Sequence, residues 1–323
     1  MNTASSLYRE LTAEELQSVV QKHFAPRGIA SSKLLSGGLF NTTYFVELTD
    51  GLKMVLRLGP VNRHLLMLFE ENMMAAEAHV YDLCRAEGIP VSEVLVVDTD
   101  RDAVDRDFMC VRYIPSTPLS ALEPSEELKA KLYCETGALT RHMHAITCPR
   151  FGRVSQILSG GGYDTWREAI LGEIENWKVR AVPGGLYSEA ELAEIDAVFA
   201  RHAHLLDEIQ TPHLVHADLW SGNVLISGEN DDLSVAAIID ADRAIFGDAD
   251  FEFASAWMIN DAFVEGYGSA PSDDDASVTR RMLYALIYAL LDGYVWLHQY
   301  NNQENSDGCH THALELIEQL KKR

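Results

Sequence analysis

The sequence predicts an α+β protein of two lobes, in which a small antiparallel sheet precedes a larger and mainly helical part. Short β-branched runs separated by turn residues fill much of the first 115 residues, whereas later stretches carry apolar residues at helical spacing. One strand pair, over residues 223–239, interrupts those helices. The chain of 323 residues is long enough for two units of about 100–200 residues each.

Local patterns predict the N-terminal elements. Residues 11–24 have apolar side chains at helical spacing, and Thr12 can serve as the N-cap. The runs TTYFVEL and KMVLRL predict two strands, which the turn at 49–51 joins into an antiparallel hairpin. A helix is expected from about Glu70, with Gly88 as its C-terminal cap. The runs EVLVVDTD and DFMCVRYI predict two further strands.

Prolines 115 and 118 end this strand-rich part. We therefore place the boundary at the segment IPSTPL, near Ser116, so that residues 1–115 form the first lobe with its connecting segment and residues 116–323 form the second. In the second lobe, apolar periodicity predicts helices over Glu126–Ile146, Trp166–Val179, Ser188–Ile209, Phe251–Tyr267 and Ser277–Tyr300.

The composition excludes several classes of partner. With a net charge of -23 and a pI of about 4.8, the chain lacks the basic surface that binding to nucleic acid requires. No apolar run approaches the roughly 20 residues of a membrane-spanning helix, and the N-terminus lacks a secretory signal pattern. The five cysteines have no paired spacing, so neither disulfides nor a zinc site is indicated. Together these features predict a cytoplasmic protein that binds neither nucleic acid nor membrane.

The segment HADLWSGNVLI, which starts at His216, places three polar groups in a loop directly before an apolar strand. Asp218 could take a proton from an acceptor hydroxyl, and Asn223 could bind a magnesium ion through its amide oxygen. His216 is expected to pack beneath the loop and hold its backbone. A second apolar strand ends at Asp240, and a β-hairpin would bring this carboxylate and the Asn223 amide to one edge. The combination suits phosphoryl transfer, although each residue alone is also typical of turn or helix-cap chemistry.

This loop, with the following segment IIDADRAIFGDADFEFA, resembles the aminoglycoside phosphotransferase and choline kinase superfamily, whose members are relatives of the protein kinases. The resemblance implies a protein-kinase-like fold with a nucleotide-binding first lobe, and it implies ATP (or GTP) and Mg²⁺ as cofactors. It implies Asp218 as the catalytic base, and Asn223 and Asp240 as magnesium ligands.

The same resemblance gives roles to two further acidic residues and exposes three departures from the family pattern. Asp248 would tie the loops together, and Glu252 would occupy the later acidic position. Ala217 stands where the family has Gly, Ala249 where it has Pro, and Glu252 where it has Asp. None of these changes removes the base or a metal ligand.

The first lobe would then bind the nucleotide. In the turn of LLSGGLFNTTYFV, formed by Ser36, Gly37 and Gly38, the backbone N–H groups could approach phosphate oxygens, although adjacent glycines are equally an ordinary hairpin turn. Arg57 lies where such kinases carry a phosphate-binding cation, and Glu77 is its expected partner on the next helix. The alternative for this pair is an exposed strand cation and a solvated helical carboxylate.

The connection between the lobes would contact the nucleotide base. The resemblance implies that the backbone in the segment FMCVRYIPS, from Val111 to Tyr113, forms hydrogen bonds with adenine. Relatives often have Gly after the proline of this segment, where this chain has Ser116.

The acceptor is expected to be a small molecule with a hydroxyl group, and a cationic molecule is one candidate. Asp261 and Glu265, four apart on one helical face, are candidates for contacting an amine, as in an aminoglycoside. The acidic surface could attract such a cation, although it equally serves solubility. Aromatic residues could instead line a pocket for a sugar or a quaternary amine, and core packing is their alternative role: Trp166, Trp177, Trp220, Trp257, Tyr267, Tyr294 and Trp296.

These observations predict an enzyme that transfers the γ-phosphate of a nucleotide to a small-molecule alcohol, with an aminoglycoside as the first candidate. Choline or ethanolamine, homoserine and a methylthioribose-type sugar are alternative acceptors. A catalytically inactive nucleotide-binding scaffold is a further alternative. A protein kinase is disfavoured, because the sequence has neither a DFG motif nor a recognisable activation segment ending in APE.

Overall fold

The computed structural model describes residues 5–35, 38–230, 232–255 and 257–323. The strands in these ranges are β1 (Ile29–Leu34), β2 (Thr42–Leu48), β3 (Lys53–Leu58), β4 (Val94–Asp98), β5 (Phe108–Arg112), β6 (Thr117–Pro118), β7 (Gly152–Arg153), β8 (His213–Val215), β9 (Val224–Ser227), β10 (Ser234–Ile238) and β11 (Ile245–Gly247). The α-helices are α1 (Ala13–Phe24), α2 (Met73–Ala86), α3 (Glu126–His144), α4 (Val154–Leu158), α5 (Trp166–Gly184), α6 (Glu189–Leu206), α7 (Asp261–Tyr267), α8 (Asp275–Tyr294) and α9 (Gln303–Leu320).

The N-terminal part is an antiparallel sheet of five strands in the order β1-β2-β3-β5-β4. The β2–β3 pair is the hairpin predicted from sequence, and strand β2 alternates buried and half-buried side chains, as a strand with one covered face should. Most of the helices follow, so the predicted α+β class, with a sheet-rich N-terminal part and a helical C-terminal part, is confirmed. The exact boundary at residues 115 and 116 stays a prediction.

Helix α1 covers one face of this sheet. Thr12 caps it, because its side chain accepts the Glu15 N–H while the Glu15 carboxylate accepts the Thr12 N–H. Leu16, Val19 and Val20 are buried against side chains from β2, β3 and β5. The capping box and the apolar stripe together explain why a helix of twelve residues is stable here.

The opposite face of the sheet belongs to a core that continues into the C-terminal part. Tyr81 of α2 and Met109 of β5 are members of the same buried cluster as Ile226 of β9 and Phe246 of β11. Strand β6 also adds to the β9–β10 hairpin and so forms a second, three-stranded sheet directly after the connecting segment. The five-stranded sheet and the β9–β10 hairpin are thus fixed to each other by apolar packing.

Two helix predictions were wrong in their extent. The helix predicted from Glu70 begins at Met73, because residues 68–70 form a 3₁₀ turn and Asn72 takes a left-handed conformation (φ 63°). The single helix predicted over 251–267 is instead a 3₁₀ turn over Ala249–Ala254 and the separate helix α7, which Asn260 caps through the N–H of Phe263. Apolar periodicity does not register such caps.

The C-terminal part is organised around α8. Its buried face packs against α5, α6 and α9, and the Trp166 indole N–H donates to the Tyr284 hydroxyl at 2.8 Å. Helix α8 continues into a π-helical turn, Val295–Gln299, where the sequence pattern predicted one uninterrupted helix. No helix in the described ranges combines the length and the apolar content needed to span a bilayer.

Helices α3 and α7 approach so closely that only glycine fits at their contact. A Cβ added at Gly137 would lie 2.0 Å from the Phe263 carbonyl oxygen, and one added at Gly266 would lie 1.7 Å from the Cys134 carbonyl oxygen. Because both obstacles are backbone atoms, a side chain cannot be accommodated by a rotamer change.

Gly137→Ala should therefore lower the free energy of unfolding by about 1–3 kcal/mol through overpacking. The matched control is Gly308→Ala in α9, where an added Cβ meets nothing within 4 Å and should stabilise the helix by about 0.5–1 kcal/mol. Urea unfolding of the two variants measures both changes. Equal stability of Gly137→Ala and the wild type would contradict the close contact.

Candidate active site

The loop after β8 is held from below by His216, as the sequence predicted. The His216 backbone N–H donates to Glu252 Oε2 at 2.9 Å, its Nε2 lies 3.0 Å from the Ile239 carbonyl oxygen, and its Nδ1 accepts the Asp218 N–H at 3.3 Å. The neutral ring that satisfies both partners carries its proton on Nε2. His216 is fully buried, so the position of the loop depends on this one side chain.

Ala217 occupies a backbone conformation that favours glycine. Its φ is 62°, in the left-handed region, and its carbonyl oxygen accepts a hydrogen bond from the Tyr288 hydroxyl at 3.1 Å. The family's glycine at this position has a direct explanation, because glycine takes this conformation without the steric cost that Ala incurs.

Asp218 and Asn223 are joined by hydrogen bonds within the loop. The Asn223 Nδ2 donates to the Asp218 carbonyl oxygen at 2.8 Å and to Asp218 Oδ2 at 3.2 Å. Both amide protons of Asn223 are therefore directed at Asp218, which leaves its side-chain oxygen as an acceptor for another group. Asn223 is 4% exposed, so the pair has little freedom to separate.

Burial raises the pKa of Asp218 to about 7. The positive charge of Arg243 opposes this shift, and the carboxylates of Asp240 and Asp292 add to it. A carboxyl group whose pKa lies near neutrality can take up a proton during a reaction and release it afterwards.

The β9–β10 hairpin brings Asp240 to the same edge as Asn223, as the spacing predicted. Ile238 is opposite Val224, and the Ile239 N–H donates to the Asn223 carbonyl oxygen at 2.9 Å. Asp240, the next residue, has a left-handed φ of 65°. A non-glycine residue in this conformation directly after a strand is a strained feature of the kind that concentrates at functional sites.

Arg57 connects the sheet, α2 and Asp240. Its guanidinium forms ion pairs with both Glu77 and Asp240, and it lies 3.8 Å from Asp242. The Tyr81 hydroxyl reinforces the arrangement, since it donates to Glu77 and accepts the Asp240 N–H at 3.0 Å. Arg57 and Glu77 are buried, so the exposed alternative considered for this pair does not apply.

The three carboxylates around Arg57 form a donor set that suits a divalent cation. Oxygen atoms of Glu77, Asp240 and Asp242 lie within 4.8 Å of one another. Burial, with Asp240 and Glu77 nearby, raises the pKa of Asp242 well above its usual range. Glu77 Oε2 is buried and has no hydrogen-bond partner in the described part of the chain. Carboxylate and amide oxygens are the ligands that Mg²⁺ prefers, and an added cation would relieve this excess of negative charge.

Asp248 and Glu252, which both follow β11, tie the surrounding loops together. Asp248 Oδ2 accepts from the Tyr284 hydroxyl at 2.8 Å, and Asp248 Oδ1 accepts the Asp250 N–H at 3.0 Å. Glu252 accepts the His216 N–H and lies 3.6 Å from His144 Nε2. The longer Glu side chain, which departs from the family's Asp, thus still reaches the backbone of the loop that carries Asp218.

The predicted nucleotide contacts in the first lobe remain predictions. Ser36 and Gly37 lie outside the described residues, and at Gly38 an added Cβ would lie 2.5 Å from the Asn41 carbonyl oxygen, so glycine is required there for packing. Val111 is inside β5, opposite Val55 and Val94. The Tyr113 N–H donates to the Lys53 carbonyl oxygen at 3.1 Å, so this N–H group is already bonded to β3.

Asp261 and Glu265 do not lie at the cavity beside Asp218. This cavity has a volume of about 380 Å³ and is lined by Asp218, Trp220, Ser221 and Trp257. Both carboxylates are exposed on α7, whose buried side packs on α3. Their proposed contact with an amine stays a prediction that the geometry of this cavity does not favour.

Three charged or polar residues of the site were missed by the sequence analysis. Asp242 and Arg243 lie two and three residues after Asp240, and Arg243 is within 3.6 Å of Asp292 on α8 and 3.9 Å of Glu70. The Tyr81 hydroxyl joins the Arg57 network. Tyr81 could have been found from its position four residues after Glu77 on one helical face, whereas the Arg243 contacts join distant segments.

The fold is that of the two-lobe, protein-kinase-like class of proteins. The family model described as the phosphotransferase enzyme family (APH) matches residues 31–312, and the chain belongs to this family. Hygromycin-B 4-O-kinase from Escherichia coli is 32% identical over 195 residues, which are 56% of this chain and 51% of that protein. The chain thus spans about half the length of this curated relative.

Solved structures show the same fold. A candidate fructosamine-3-kinase from Thermobifida fusca has a TM-score of 0.68 and 19% identity, with 97% of this chain and 100% of that chain covered. A mutant of aminoglycoside phosphotransferase APH(4)-Ia, in a ternary complex with AMP-PNP and hygromycin B, has a TM-score of 0.67 and 20% identity, with 94% and 98% covered. At these identities the likeness establishes the fold, and the predicted protein-kinase-like architecture is confirmed.

Ala217→Gly should raise the free energy of unfolding by about 0.5–1 kcal/mol, because the relieved left-handed strain exceeds the added entropy of the unfolded chain. Ala249→Gly is the matched control, since Ala249 has no left-handed φ and the same replacement should destabilise. Thermal unfolding of both variants tests this. A loss of stability in Ala217→Gly equal to that in Ala249→Gly would contradict the strain.

Proposed function

We propose that this protein transfers the γ-phosphate of a nucleotide to a hydroxyl group of a small molecule. The observation that carries the proposal is the convergence of Asp218, Asn223 and Asp240 at one edge of the β9–β10 hairpin. Membership of the phosphotransferase family and a neighbouring structure with bound AMP-PNP support it. ATP is the first candidate donor, and GTP is the second, since a GDP complex is known for another neighbour with the same fold, aminoglycoside 2'-phosphotransferase-IIIa.

In this proposal Asp218 acts as the general base. Its carboxylate faces the cavity, where an acceptor hydroxyl can approach, and its pKa of about 7 suits proton uptake as the new phosphate ester bond forms. Asn223 holds the carboxylate in place through its amide N–H group. The Asp218 side chain then returns the proton to solvent after the product leaves.

The cofactor residues are Asn223, Asp240 and Arg57. The side-chain oxygens of Asn223 and Asp240 would hold Mg²⁺, and Arg57, positioned by Glu77, would contact phosphate oxygens once a cation shares the carboxylates it now bridges. When bound, Mg²⁺ and the nucleotide supply the transferable phosphoryl group and neutralise its developing charge. The chain's own contribution is to orient these groups in a partly buried site, where charges act strongly.

An aminoglycoside or a similar amino-bearing alcohol is the first candidate acceptor. The relative from Escherichia coli is a hygromycin-B kinase, and a net charge of -23 favours the approach of a cation. Phosphorylation of such a compound would make the protein an antibiotic-resistance enzyme acting in the cytoplasm. The second candidate is a small metabolite of the choline or ethanolamine, homoserine or methylthioribose type, and the fructosamine-3-kinase likeness keeps a sugar amine in this group.

Asp218→Asn should lower the turnover number for acceptor phosphorylation by about 100-fold or more, because the general base is lost. Nucleotide affinity should stay within a factor of about two, because the shape of the loop is kept. ADP release with hygromycin B, kanamycin, choline and homoserine as acceptors, together with AMP-PNP titration, measures both quantities. Unchanged turnover in the variant would refute the assigned base, and the absence of phosphorylated product with every acceptor would favour the inactive scaffold.

Asp240→Asn should abolish the magnesium dependence of nucleotide binding and weaken apparent AMP-PNP affinity by at least about tenfold, because a charged ligand of the cation is lost. Asp273→Asn is the matched control, since Asp273 is an exposed loop carboxylate outside the site. Thermal shift with AMP-PNP, with and without Mg²⁺, measures the effect, because a ligand that binds only the folded state raises its stability. A magnesium-dependent shift of wild-type size in Asp240→Asn would contradict the assignment.

A further inference from the structure

The two tryptophans with large exposed surfaces both lie beside the proposed catalytic base. Trp220 is 43% exposed and Trp257 is 50% exposed, whereas Trp166 and Trp177 are buried in the core. Trp220 and Trp257 belong to separate segments of the chain, and both line the cavity next to Asp218. Two indoles that leave much of their apolar surface in water at the same cavity indicate a binding surface.

Trp220 is held in place by the loop that carries Asp218. Its carbonyl oxygen accepts the Asn223 N–H at 2.9 Å, so its backbone is fixed by the magnesium-site residue. Its indole lies over Gly222, where an added Cβ would be only 2.2 Å from the ring. The absence of a side chain at Gly222 therefore provides the space in which the indole rests.

Trp257 is anchored to the same loop from the other side. Its ring packs edge-on against Tyr288, with the ring centroids 6.1 Å apart. The Tyr288 hydroxyl donates to the Ala217 carbonyl oxygen at 3.1 Å, one residue before Asp218. Trp220 is thus positioned relative to the base by the loop itself, and Trp257 is positioned through Tyr288, which is bonded to that loop. Fixed positions of this kind are the condition for presenting a bound hydroxyl at a defined distance.

An acceptor could be bound either by carboxylates that pair with its positive charges or by aromatic faces that cover its ring. The charge of the residues that line the cavity distinguishes between these two modes of binding. A polycation would be bound by several carboxylates, but among the described residues that line the cavity only Asp218 carries one. Asp261 and Glu265 are exposed on α7 and do not line it. The cavity instead offers two aromatic faces and the Ser221 hydroxyl, which match a ring that has an apolar C–H face and a rim of hydroxyl groups.

We propose that Trp220 and Trp257 bind the ring of a cyclic alcohol, a sugar or an aminocyclitol, and so select ring-bearing acceptors over acyclic ones. This inference rests on the proposed phosphotransfer at Asp218 and narrows its substrate class. Ring burial against the indoles supplies the affinity, and the hydroxyl that faces Asp218 is the one phosphorylated. The number of amines on the acceptor matters less than the presence of a ring.

The test compares Trp220→Ala, Trp257→Ala and the matching Phe variants with wild type. Probes are hygromycin B and kanamycin as amino-bearing rings, methylthioribose as a neutral ring, and choline and homoserine as acyclic alcohols. Initial rates of ADP release give KM and kcat for each acceptor, and quenching of tryptophan fluorescence in the presence of AMP-PNP and Mg²⁺ reports binding directly. Leu158→Ala, an exposed apolar residue that does not line the cavity, is the control.

We expect at least one ring-bearing probe to be phosphorylated, with its KM raised about tenfold in each Ala variant and largely restored in each Phe variant. The KM for ATP should stay unchanged, as it should in Leu158→Ala.

An acyclic alcohol as the best acceptor, or an unchanged acceptor KM in both Ala variants, overturns the inference while phosphotransfer itself stands. If no ring-bearing probe is turned over or quenches the fluorescence, ring recognition is refuted. If no probe of either kind is phosphorylated, the proposed function fails as well.

Discussion

The buried guanidinium of Arg57 is the interaction on which the rest of the site depends. It joins Glu77 on α2 to Asp240 at the end of the hairpin, and so it fixes the sheet against the segment that carries Asp240. Removing one partner from such a network would leave a buried charge without compensation, which costs far more than a surface ion pair contributes. The Tyr81 hydroxyl, bonded to both Glu77 and Asp240, makes the same connection a second time.

The site combines this rigid frame with an excess of negative charge. Asp242 and Glu77 are buried beside Asp240, and Arg57 offsets only part of their charge. Such an arrangement is costly for the protein alone but becomes favourable when a divalent cation enters. The same burial raises the pKa of Asp218 towards neutrality, so the electrostatic cost of the site and its proposed chemistry have one physical origin.

The sequence predicted the features that depend on residues close together in the chain. It missed the contacts that depend on packing between segments far apart in the chain. The spacing of Asn223 and Asp240 was sufficient because a β-hairpin is a local structure whose two ends must meet. The orientation of Asp261 on α7 was not predictable, because it depends on how closely α7 packs against α3 through Gly137. The tryptophans at the cavity could be named from sequence only as aromatic candidates, since core and surface indoles have the same local pattern.

The central claim is that Asn223 and Asp240 together bind the cation beside Asp218. A crystal structure of the complex with AMP-PNP and Mn²⁺, solved with anomalous scattering, tests it most directly. The account predicts an anomalous peak about 2.1–2.3 Å from the Asn223 side-chain oxygen and from an Asp240 carboxylate oxygen, with Asp218 facing the adjoining cavity. A manganese ion that is bound only elsewhere, or nucleotide bound with no ion at these two residues, would contradict it.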